Sequence, residues 1–355
     1  MLKRRKTRRV RIGSLYIGST EPVLIQSMTN TDTGDINATI DQIRALTEAG
    51  CEAVRIAVPD KRVVGGLTRI KAAATVPLIA DIHFDLSLAL DALAAGFDKL
   101  RINPGTLGNS RLLREVARAA VDQDVSIRVG VNSGSIHRGY ANLPMHEALA
   151  KSAEYYCQQL ESFGCHNLVV SLKSSSVEQT VLATRLFAAS SDYPLHLGVT
   201  EAGTLSGSVI KSSIGIGTLL VDGIGDTIRV SVTGSPLEEI PIARGILRSL
   251  NLRPGSELVS CPTCGRCSFP LAEAAQQVEE RLNKNNCQLK VAVMGCAVNG
   301  PGEAKEADLG IAFGPHKGVL FAKGEVVKTM PNSKLVKELL TRIEHVCKGD
   351  QERRD

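Results

Sequence analysis

The sequence predicts an α/β protein in which a TIM (β/α)8 barrel is followed by a small α/β domain. From residue 22 to about 250, short apolar runs alternate with longer amphipathic segments, a pattern typical of a parallel sheet covered by helices. Eight such runs occur, which is the number that closes a TIM barrel. The eight predicted strands occupy residues 22–28, 52–58, 77–82, 98–103, 126–132, 167–173, 194–200 and 226–232.

The segments between these runs have helical periodicity, and several end in glycine, as a helix C-cap does. Two examples are "INATIDQIRALTEAG" at 36–50 and "HEALAKSAEYYCQQLESFG" at 146–164. Ahead of the first strand, "VRIGSLYIG" at 10–18 alternates in polarity and turns at Gly13 and Ser14. We therefore expect a small hairpin at the bottom of the barrel.

A change in pattern separates the two predicted domains. Residues 251–260, "NLRPGSELVS", contain Pro-Gly and show no periodicity, so they are interpreted as a linker. The predicted domains are therefore 1–252 and 253–355. In the second, the pattern predicts a helix at 271–284, a strand at 289–295, short strands near 308–327 and a final helix at 333–346.

Composition excludes several classes of protein. With 43% apolar and 22% charged residues, the chain has the composition of a globular protein with a sizeable core. It contains no apolar run long enough to span a bilayer and no apolar signal-peptide core, so we expect a cytoplasmic protein with no membrane partner. The basic run "KRRKTRRVR" at 3–11 lacks interleaved aromatic residues, and tryptophan is absent. This favours a solvated, partly ordered arm and no nucleic-acid partner.

The nine cysteines are spread along a long chain without a secretion signal. In a reducing compartment, clustered cysteines are usually metal ligands or catalytic groups. Five others are isolated in sequence and are interpreted as small buried hydrophobes: Cys51, Cys157, Cys165, Cys287 and Cys347.

Polar residues collect at the predicted C-terminal ends of the strands, where TIM barrels place their active sites. In chain order these residues are Asn30, Arg55, Asp81, His83, Arg101, Asn103, Arg128, Asn132, Lys173, Glu201, Arg229 and Ser231.

Four arginines and a lysine at one barrel mouth require an anion to neutralise them. Guanidinium groups match phosphate oxygens well, which favours a diphosphate or another doubly charged substrate. In an alternative arrangement, one or two of the arginines point into the barrel and pair with Asp81 or Asp226.

Two further features of the barrel support phosphate chemistry. The glycine-rich stretches "KSSIGIG" at 211–217 and "DGIGD" at 222–226 precede the eighth strand, near which barrels commonly hold phosphate. His83 and Glu201 are the candidates for proton transfer.

The clustered cysteines pose a choice between zinc and an iron–sulfur cluster. Cys261 and Cys264 form a C-x₂-C pair, but no second pair follows Cys296, as a zinc ribbon would need. Cys267 would complete a four-thiolate set of ferredoxin type. Glu303 competes with it, because a carboxylate is a harder and more exchangeable ligand for iron.

Nine motifs, occurring together between about residues 5 and 345, make the chain similar to the bacterial form of the 4-hydroxy-3-methylbut-2-enyl diphosphate synthase family. These enzymes act in the methylerythritol phosphate route to isoprenoids. The motifs are "IQSMTNTDT", "ADIHFD", "LRINPG", "VGVNSGS", "LGVTEAG", "KSSIGIG", "DGIGDTIRVS", "SCPTCGR" and "VMGCAVNGPGEA".

The resemblance implies a TIM barrel joined to a [4Fe–4S] domain of sulfite/nitrite-reductase type. The implied activity is the two-electron reductive ring opening of 2-C-methyl-D-erythritol 2,4-cyclodiphosphate. It further implies flavodoxin or ferredoxin as electron donor, and a homodimer in which one subunit's cluster caps the partner's barrel mouth.

Carried onto this chain, the resemblance implies cluster ligands Cys261, Cys264, Cys296 and Glu303. Cys267, a position where the family usually has no cysteine, is predicted not to bind the cluster. The resemblance also implies a substrate cradle that comprises Arg55, His83, Arg101, Arg128, Asn132, Lys173 and Glu201. The strand ends add Asp81, Asn103 and Ser231 to this cradle.

Two other classes of protein combine some of these features. A radical S-adenosylmethionine enzyme also joins a barrel to a cluster, but it needs a C-x₃-C-x₂-C motif that this sequence lacks. A zinc-ribbon binding module without enzymatic activity would explain the basic arm and the C-x₂-C pair. It would leave the cationic barrel mouth unexplained.

Overall fold

The computed structural model describes residues 2–83, 85–103, 110–267, 269–284, 287–296 and 305–351. The chain divides into two compact units, Met1–Arg253 and Pro254–Asp355. Each unit has its own buried apolar core.

The first unit is a parallel eight-stranded barrel, so the predicted TIM fold is confirmed. Neighbouring strands pair in chain order, and a bridge between Val170 and Leu195 brings the two ends of the sheet together. The strands are β3 (Leu24–Met28), β4 (Ala53–Ala57), β5 (Leu78–Ile82), β6 (Lys99–Ile102), β7 (Ser126–Asn132), β8 (Leu168–Lys173), β9 (His196–Leu197) and β10 (Thr227–Ile228). Each lies within a predicted run, and the last two are much shorter than predicted.

In the described part of the chain, eight α-helices surround the barrel because each strand buries its outward side chains against them. Two of the predicted glycine caps are present, since Gly50 and Gly164 have φ of 95° and 86°, in the left-handed region. The helices are α1 (Ile36–Glu48), α2 (Val64–Ala73), α3 (Ser87–Ala94), α4 (Ser110–Asp122), α5 (Met145–Glu161), α6 (Val177–Ser190), α7 (Leu205–Val221) and α8 (Glu239–Ser249).

A hairpin closes the N-terminal end of the barrel. Strands β1 (Val10–Ile12) and β2 (Leu15–Ile17) pair antiparallel around Gly13, which has φ of 58°. Val10, Ile12 and Ile17 form an apolar cluster with inward-facing residues from the lower ends of the barrel strands. This cluster excludes water from the bottom of the barrel.

The basic N-terminal arm is docked on the barrel, so its interpretation as a solvated, partly ordered segment is wrong. Arg4 donates to Asp226 at 2.6 Å. Arg5 donates to the carbonyls of Ala188 and Tyr193 at 3.1 and 2.6 Å. The arm also forms ion pairs of Arg8 with Glu161 and Asp192, Arg9 with Glu21 and Arg11 with Asp124.

Within its described residues, the second unit is a mixed five-stranded sheet packed against two helices. The predicted linker is partly wrong, because its last four residues form an edge strand parallel to β12. The strands are β11 (Glu257–Ser260), β12 (Lys290–Met294), β13 (Leu309–Ala312), β14 (Lys317–Ala322) and β15 (Glu325–Pro331), and the helices are α9 (Leu271–Lys284) and α10 (Asn332–Gln351).

Three of the isolated cysteines, Cys51, Cys157 and Cys165, are buried in the barrel core, as expected of small hydrophobes. Burial raises the pKa of the Cys51 thiol to about 12. Cys287 and Cys347 are buried as well, but their interpretation as unpaired hydrophobes is wrong. They form a disulfide that joins α10 to the segment preceding β12.

Candidate functional site

Alternation along the strands turns the predicted polar residues into the barrel at its C-terminal end. The centre of this group is Asp81, whose carboxylate is almost fully buried. Arg101 donates to it at 3.2 Å, His83 Nε2 lies 3.1 Å from it, and Arg55 forms an ion pair at 3.7 Å. His83 Nε2 is also 3.1 Å from Arg101. The structure therefore brings four of the predicted site residues into one network.

Electrostatics fixes the charge state of this network. Burial by itself would raise the pKa of Asp81, but Arg55, the hydrogen bond from His83 and Arg101 together hold it below its ordinary value. Burial also lowers the pKa of Arg55, to about 10, although Asp81 opposes that shift. The carboxylate is therefore ionised and orients the guanidinium groups at the mouth.

Arg128 and Lys173 belong to the same cationic group. Burial and the neighbouring arginines lower the pKa of both side chains. Arg128 is 1% exposed, and its Nε and Nη1 have no hydrogen-bond partner within the described residues. Of the carboxylates in the described part of the chain, none forms an ion pair with either side chain. Positive charge at the mouth therefore exceeds the negative charge that the described barrel residues supply.

The alternative of inward-pointing arginines is correct for Asp81 and wrong for Asp226. Arg55 and Arg101 pair with Asp81, whereas Asp226 pairs with Arg4 of the N-terminal arm. Arg229 is neutralised by Glu239 at the start of α8, to which it donates at 3.1 Å.

Two glycines in the barrel wall make room for the cations. A Cβ at position 130 would lie 2.9 Å from Arg101 Nε. A Cβ at position 198 would lie 2.7 Å from Lys173 Nζ and 2.6 Å from the Arg229 carbonyl oxygen. The motifs "VGVNSGS" and "LGVTEAG" thus contribute space as well as side chains.

The remaining predicted contacts lie around the strand ends. Asn103 is buried, and Asn132 and Ser231 are half-buried. Glu201 is exposed and has φ of 54°, a backbone conformation that is uncommon for residues other than glycine and that recurs at functional sites. Within the described residues, no hydrogen bond or ion pair joins the side chains of Asn132, Glu201 or Ser231 to the Asp81 network.

The glycine-rich stretches are not phosphate loops. Residues 211–217 lie inside α7, where backbone N–H groups are used within the helix. Gly215 is needed there because a Cβ would lie 2.7 Å from Val199 Cγ2. Residues 222–226 precede β10, at the end opposite the mouth, where the Gly223 carbonyl accepts a hydrogen bond from the Arg5 N–H. Both predictions mistook packing glycines for anion-binding ones.

The cysteines of the second unit gather around the end of β12. Cys261 Sγ accepts a hydrogen bond from Gly295 N–H at 3.2 Å, and Cys296 is the next residue. Cys264 is exposed on the turn after Cys261. Cys267 packs against the apolar core, and its thiol donates to the Phe269 carbonyl at 3.3 Å. Glu303, the predicted fourth ligand, lies outside the described residues.

The chemistry of the cysteines in the second unit fits an iron–sulfur cluster, although their side chains are not yet arranged around a single point. Among the described residues, no group of three or more His, Cys, Asp or Glu side chains is already arranged to hold a metal ion. The N–H···S bond from Gly295 to Cys261 is nevertheless of the kind that stabilises cluster thiolates. The donor set is rich in thiolates, which suits iron–sulfur clusters.

Three residues that contribute to the barrel interior were missed by the sequence analysis. Lys99 and His196 are fully buried, and Glu239 holds Arg229 and Ser27. The signal for Lys99 was present, since it lies in a predicted strand two residues before Arg101. His196 lies five residues before Glu201, the next predicted site position, so strand alternation gave no signal for it. Glu239 lies on a helix, and nothing in its local sequence indicates that it faces a strand.

Comparison with known families identifies both units. Residues 7–244 match the model of the GcpE TIM-barrel domain, and residues 257–345 match that of the GcpE protein C-terminal domain.

Relatives named "4-hydroxy-3-methylbut-2-en-1-yl diphosphate synthase (flavodoxin)" resemble nearly the whole chain. That of Caldanaerobacter subterraneus subsp. tengcongensis is 49% identical, covering 99% of this chain and 100% of the relative. That of Thermodesulfovibrio yellowstonii is 50% identical, covering 97% and 99%.

Solved structures share the barrel at low sequence identity. Type I 3-dehydroquinate dehydratase from Clostridium difficile has a TM-score of 0.52 at 12% identity, covering 69% of this chain and 98% of that one. Yersinia pestis dihydropteroate synthase has a TM-score of 0.51 at 13% identity, covering 68% and 98%. At this identity the likeness concerns the fold alone.

Within the described ranges, none of the helices is both long enough and apolar enough to cross a bilayer. The two family models cover most of the chain, and the relatives are about half identical to it along nearly their full length. The chain belongs to the GcpE family.

Proposed function

We propose that this chain catalyses the reductive ring opening of 2-C-methyl-D-erythritol 2,4-cyclodiphosphate to 4-hydroxy-3-methylbut-2-enyl diphosphate, with flavodoxin or ferredoxin as electron donor. The observation that carries the proposal is the excess of buried cations at the barrel mouth, where neither Arg128 nor Lys173 forms an ion pair with a carboxylate of the described residues. A cyclic diphosphate supplies the two negative charges that such a site requires. The names of the relatives support the same reaction.

The two phosphate groups of the proposed substrate assign roles to the barrel residues. Arg55, Arg101, Arg128 and Lys173 bind the phosphate oxygens, and Asp81 keeps the first two in place. Their charge stabilises the phosphate that is released when the ring C–O bond breaks. Asn103, Asn132 and Ser231 line the mouth as further hydrogen-bonding groups.

We assign the cluster ligands to Cys261, Cys264, Cys296 and Glu303. Cys267 is not a ligand in this assignment, which the hydrogen bond from its thiol to the Phe269 carbonyl supports. When bound, a [4Fe–4S] cluster supplies electrons one at a time. The carboxylate of Glu303 would leave one iron with an exchangeable position.

The reaction needs a proton as well as two electrons, because a hydroxyl group leaves the substrate as water. His83 and Glu201 are the proposed proton donors, and both side chains are accessible to solvent. His83 Nε2 lies within 3.1 Å of Asp81 and Arg101, so its ring is held in a fixed orientation. Glu201 has a left-handed backbone conformation with φ of 54°, a strained conformation of the kind that recurs at functional sites.

We further propose a cytoplasmic homodimer that forms through α7. The exposed face of α7 carries Val209, Ile210, Ile214 and Val221, and Lys211 is the helix's single charged residue. A second copy packing on this face would bury a continuous apolar surface. Light scattering should report a dimer, and Ile210→Glu with Ile214→Glu should give a monomer.

The experiment that tests the function is anaerobic assay of the cluster-loaded protein with reduced flavodoxin and the cyclic diphosphate. We expect a broad absorption band near 400 nm and formation of the linear diphosphate, detected by mass spectrometry. A colourless protein that contains zinc and gives no product would contradict the proposal.

The ligand assignment is tested by iron and sulfide analysis together with electron paramagnetic resonance. We expect Cys267→Ser to retain the cluster and turnover. Glu303→Ala should remain folded but carry a labile cluster and turn over little substrate. The assignment is wrong if Cys267→Ser loses iron while Glu303→Ala keeps four irons and activity.

A further inference from the structure

A layer of polar side chains lies inside the barrel, below the mouth. TIM-barrel interiors are usually filled by branched apolar residues, as they are here at the bottom of the barrel. On the neighbouring strands, alternation directs polar residues inward beside that apolar layer: Gln26 pairs with Ala53, Lys99 with Ile79 and Thr227 with Leu24. This buried polar layer consists of Gln26, Lys99, Ser126, His196 and Thr227.

Part of this layer is connected to the mouth by hydrogen-bonding contacts. Thr227 Oγ1 lies 2.7 Å from His196 Nδ1, and His196 Nε2 lies 3.4 Å from Lys173 Nζ. Lys173 is at the mouth, in the space left free by Gly198. A line of polar atoms thus runs from the barrel interior to the proposed phosphate site.

In the described part of the chain, positively charged side chains outnumber negatively charged ones around this line of polar atoms. The two described carboxylates of the group, Asp81 and Glu239, are already occupied by Arg55, Arg101 and Arg229. Lys99 Nζ has no hydrogen-bond partner within the described residues. The cations that act on Lys173, on His196 or on both are Arg55, Lys99, Arg101, Arg128 and Arg229.

We propose that Lys173 and His196 form a shared proton-accepting site that fills when a diphosphate anion binds at the mouth, so that ligand binding takes up a proton from solvent. The proton adds to Nζ or Nε2 and is held between them, and no other bond forms or breaks. The inference rests on the proposed phosphate role of the mouth. It extends that role to His196, a positioning residue that touches the ligand only through Lys173.

The electrostatics supports this coupling. Burial lowers the pKa of Lys173 and of His196, and the surrounding cations lower both further. Without a bound anion, protonating every one of these buried groups would leave uncompensated positive charge away from water, which is energetically costly. Two phosphate charges a few ångströms away reverse the balance and favour the protonated pair.

The wild-type protein alone can overturn the inference. Cluster-loaded, oxidised protein is titrated calorimetrically with 2-C-methyl-D-erythritol 2,4-cyclodiphosphate, without reductant, in buffers of different ionisation enthalpy. Each phosphate of this ligand has a single, strongly acidic proton, so the ligand itself does not titrate near neutral pH. We expect net proton uptake, and affinity that falls by up to about tenfold per pH unit for one proton as the pH rises. Binding without proton uptake would show that the inference is wrong.

Variants locate the proton. His196→Phe should abolish most of the uptake and flatten the pH dependence of affinity, and Lys173→Met should do the same while also weakening binding. His166→Gln is the matched control, since His166 is largely exposed, and it should behave like wild type. His83 is the rival acceptor because it lies beside Asp81 and Arg101. Uptake that persists in His196→Phe and vanishes in His83→Gln would refute the assignment.

The result also separates this inference from the proposed function. If the cyclic diphosphate does not bind the wild-type protein at all, both the cradle and the coupling are wrong. If it binds without taking up a proton, the cradle stands and the coupling alone fails. If His196→Phe does not fold, the wild-type titration still shows whether a proton is taken up, and Lys173→Met and His83→Gln still distinguish the two acceptors.

Discussion

Arginines gather at both ends of the barrel, and the two ends differ in what faces each guanidinium. At the bottom, Arg4, Arg8 and Arg11 each meet a carboxylate, and Arg5 meets backbone carbonyls. At the mouth, Asp81 serves both Arg55 and Arg101, and Arg128 pairs with no described carboxylate. Arginines at the bottom therefore stabilise the fold through matched contacts, whereas those at the mouth leave positive charge that a ligand can neutralise.

The difference teaches that the number of matched charges, rather than the number of arginines, indicates a binding site. A buried cation that lacks a partner destabilises the fold unless a ligand neutralises it. Substitutions at the two ends should therefore have opposite effects on stability and on binding.

The largest effect is expected for Arg4→Met at the bottom. Asp226 is 2% exposed, and losing Arg4 leaves its carboxylate with hydrogen bonds from the Leu195 N–H and Thr7 and with the more distant charge of Arg5. Breaking a buried pair in this way costs about 3 kcal/mol of unfolding free energy. Urea unfolding of the cluster-loaded protein measures the loss, while affinity for the cyclic diphosphate should not change. Lys6→Met, at an exposed position of the same arm, is the matched control and should have no effect.

The pH dependence of that loss is a further check. Burial raises the pKa of Asp226, and Arg4 opposes the shift, so removing Arg4 raises the pKa further. Because the folded-state pKa then lies above the unfolded one, ionisation of Asp226 costs stability as the pH rises. The Arg4→Met protein should therefore approach wild-type stability at acidic pH. A loss that does not depend on pH would mean that Arg4 acts through packing.

Arg128→Met should have the reverse effect at the mouth. Losing a charge-assisted contact to phosphate should weaken binding by about 1.5–3 kcal/mol, which is about ten- to a hundredfold. Stability should stay the same or rise, because an unmatched buried charge is replaced by an apolar side chain of similar length. Calorimetric titration and thermal unfolding measure the two effects. Arg101→Met is the comparison variant and should lose stability as well, since Asp81 loses a partner.

The fold could be predicted from the sequence because each barrel strand is buried on both faces and therefore appears as an apolar run. The docked arm could not, since its partners, such as Asp192 and Asp226, lie more than 180 residues further along the chain. The glycines of α7 suggested a loop because a packing contact such as that of Gly215 with Val199 leaves no local signal. Strand ends revealed Arg55, Asp81 and Arg101, whereas His196 was missed because it lies within an apolar run.

A smaller effect is expected for Gly130→Ala, which alters the mouth without removing a charge. The new Cβ would lie 2.9 Å from Arg101 Nε, so the guanidinium must shift by a few tenths of an ångström and its contact with Asp81 lengthens. We expect a loss of affinity of about 1 kcal/mol, or roughly fivefold, with little change in the unfolding temperature. Gly65→Ala on α2, where a Cβ meets nothing within 4 Å, is the control and should leave affinity unchanged. Equal effects of both substitutions would disprove the steric argument.

The smallest effect is expected for Arg11→Ala, which separates the arm's exposed ion pairs from its buried one. Arg11 Nη1 donates to Asp124 at 2.9 Å, a distance similar to that in the Arg4–Asp226 pair. Both partners are about half exposed, however, so water and salt screen the attraction. Exposed pairs of this kind contribute about 0–1 kcal/mol. A double-mutant cycle with Asp124→Ala should give a coupling energy below about 1 kcal/mol that shrinks further in 0.5 M salt. A coupling energy as large as the stability loss in Arg4→Met would mean that the N–O distance, rather than burial, determines how much an ion pair of the arm contributes to stability.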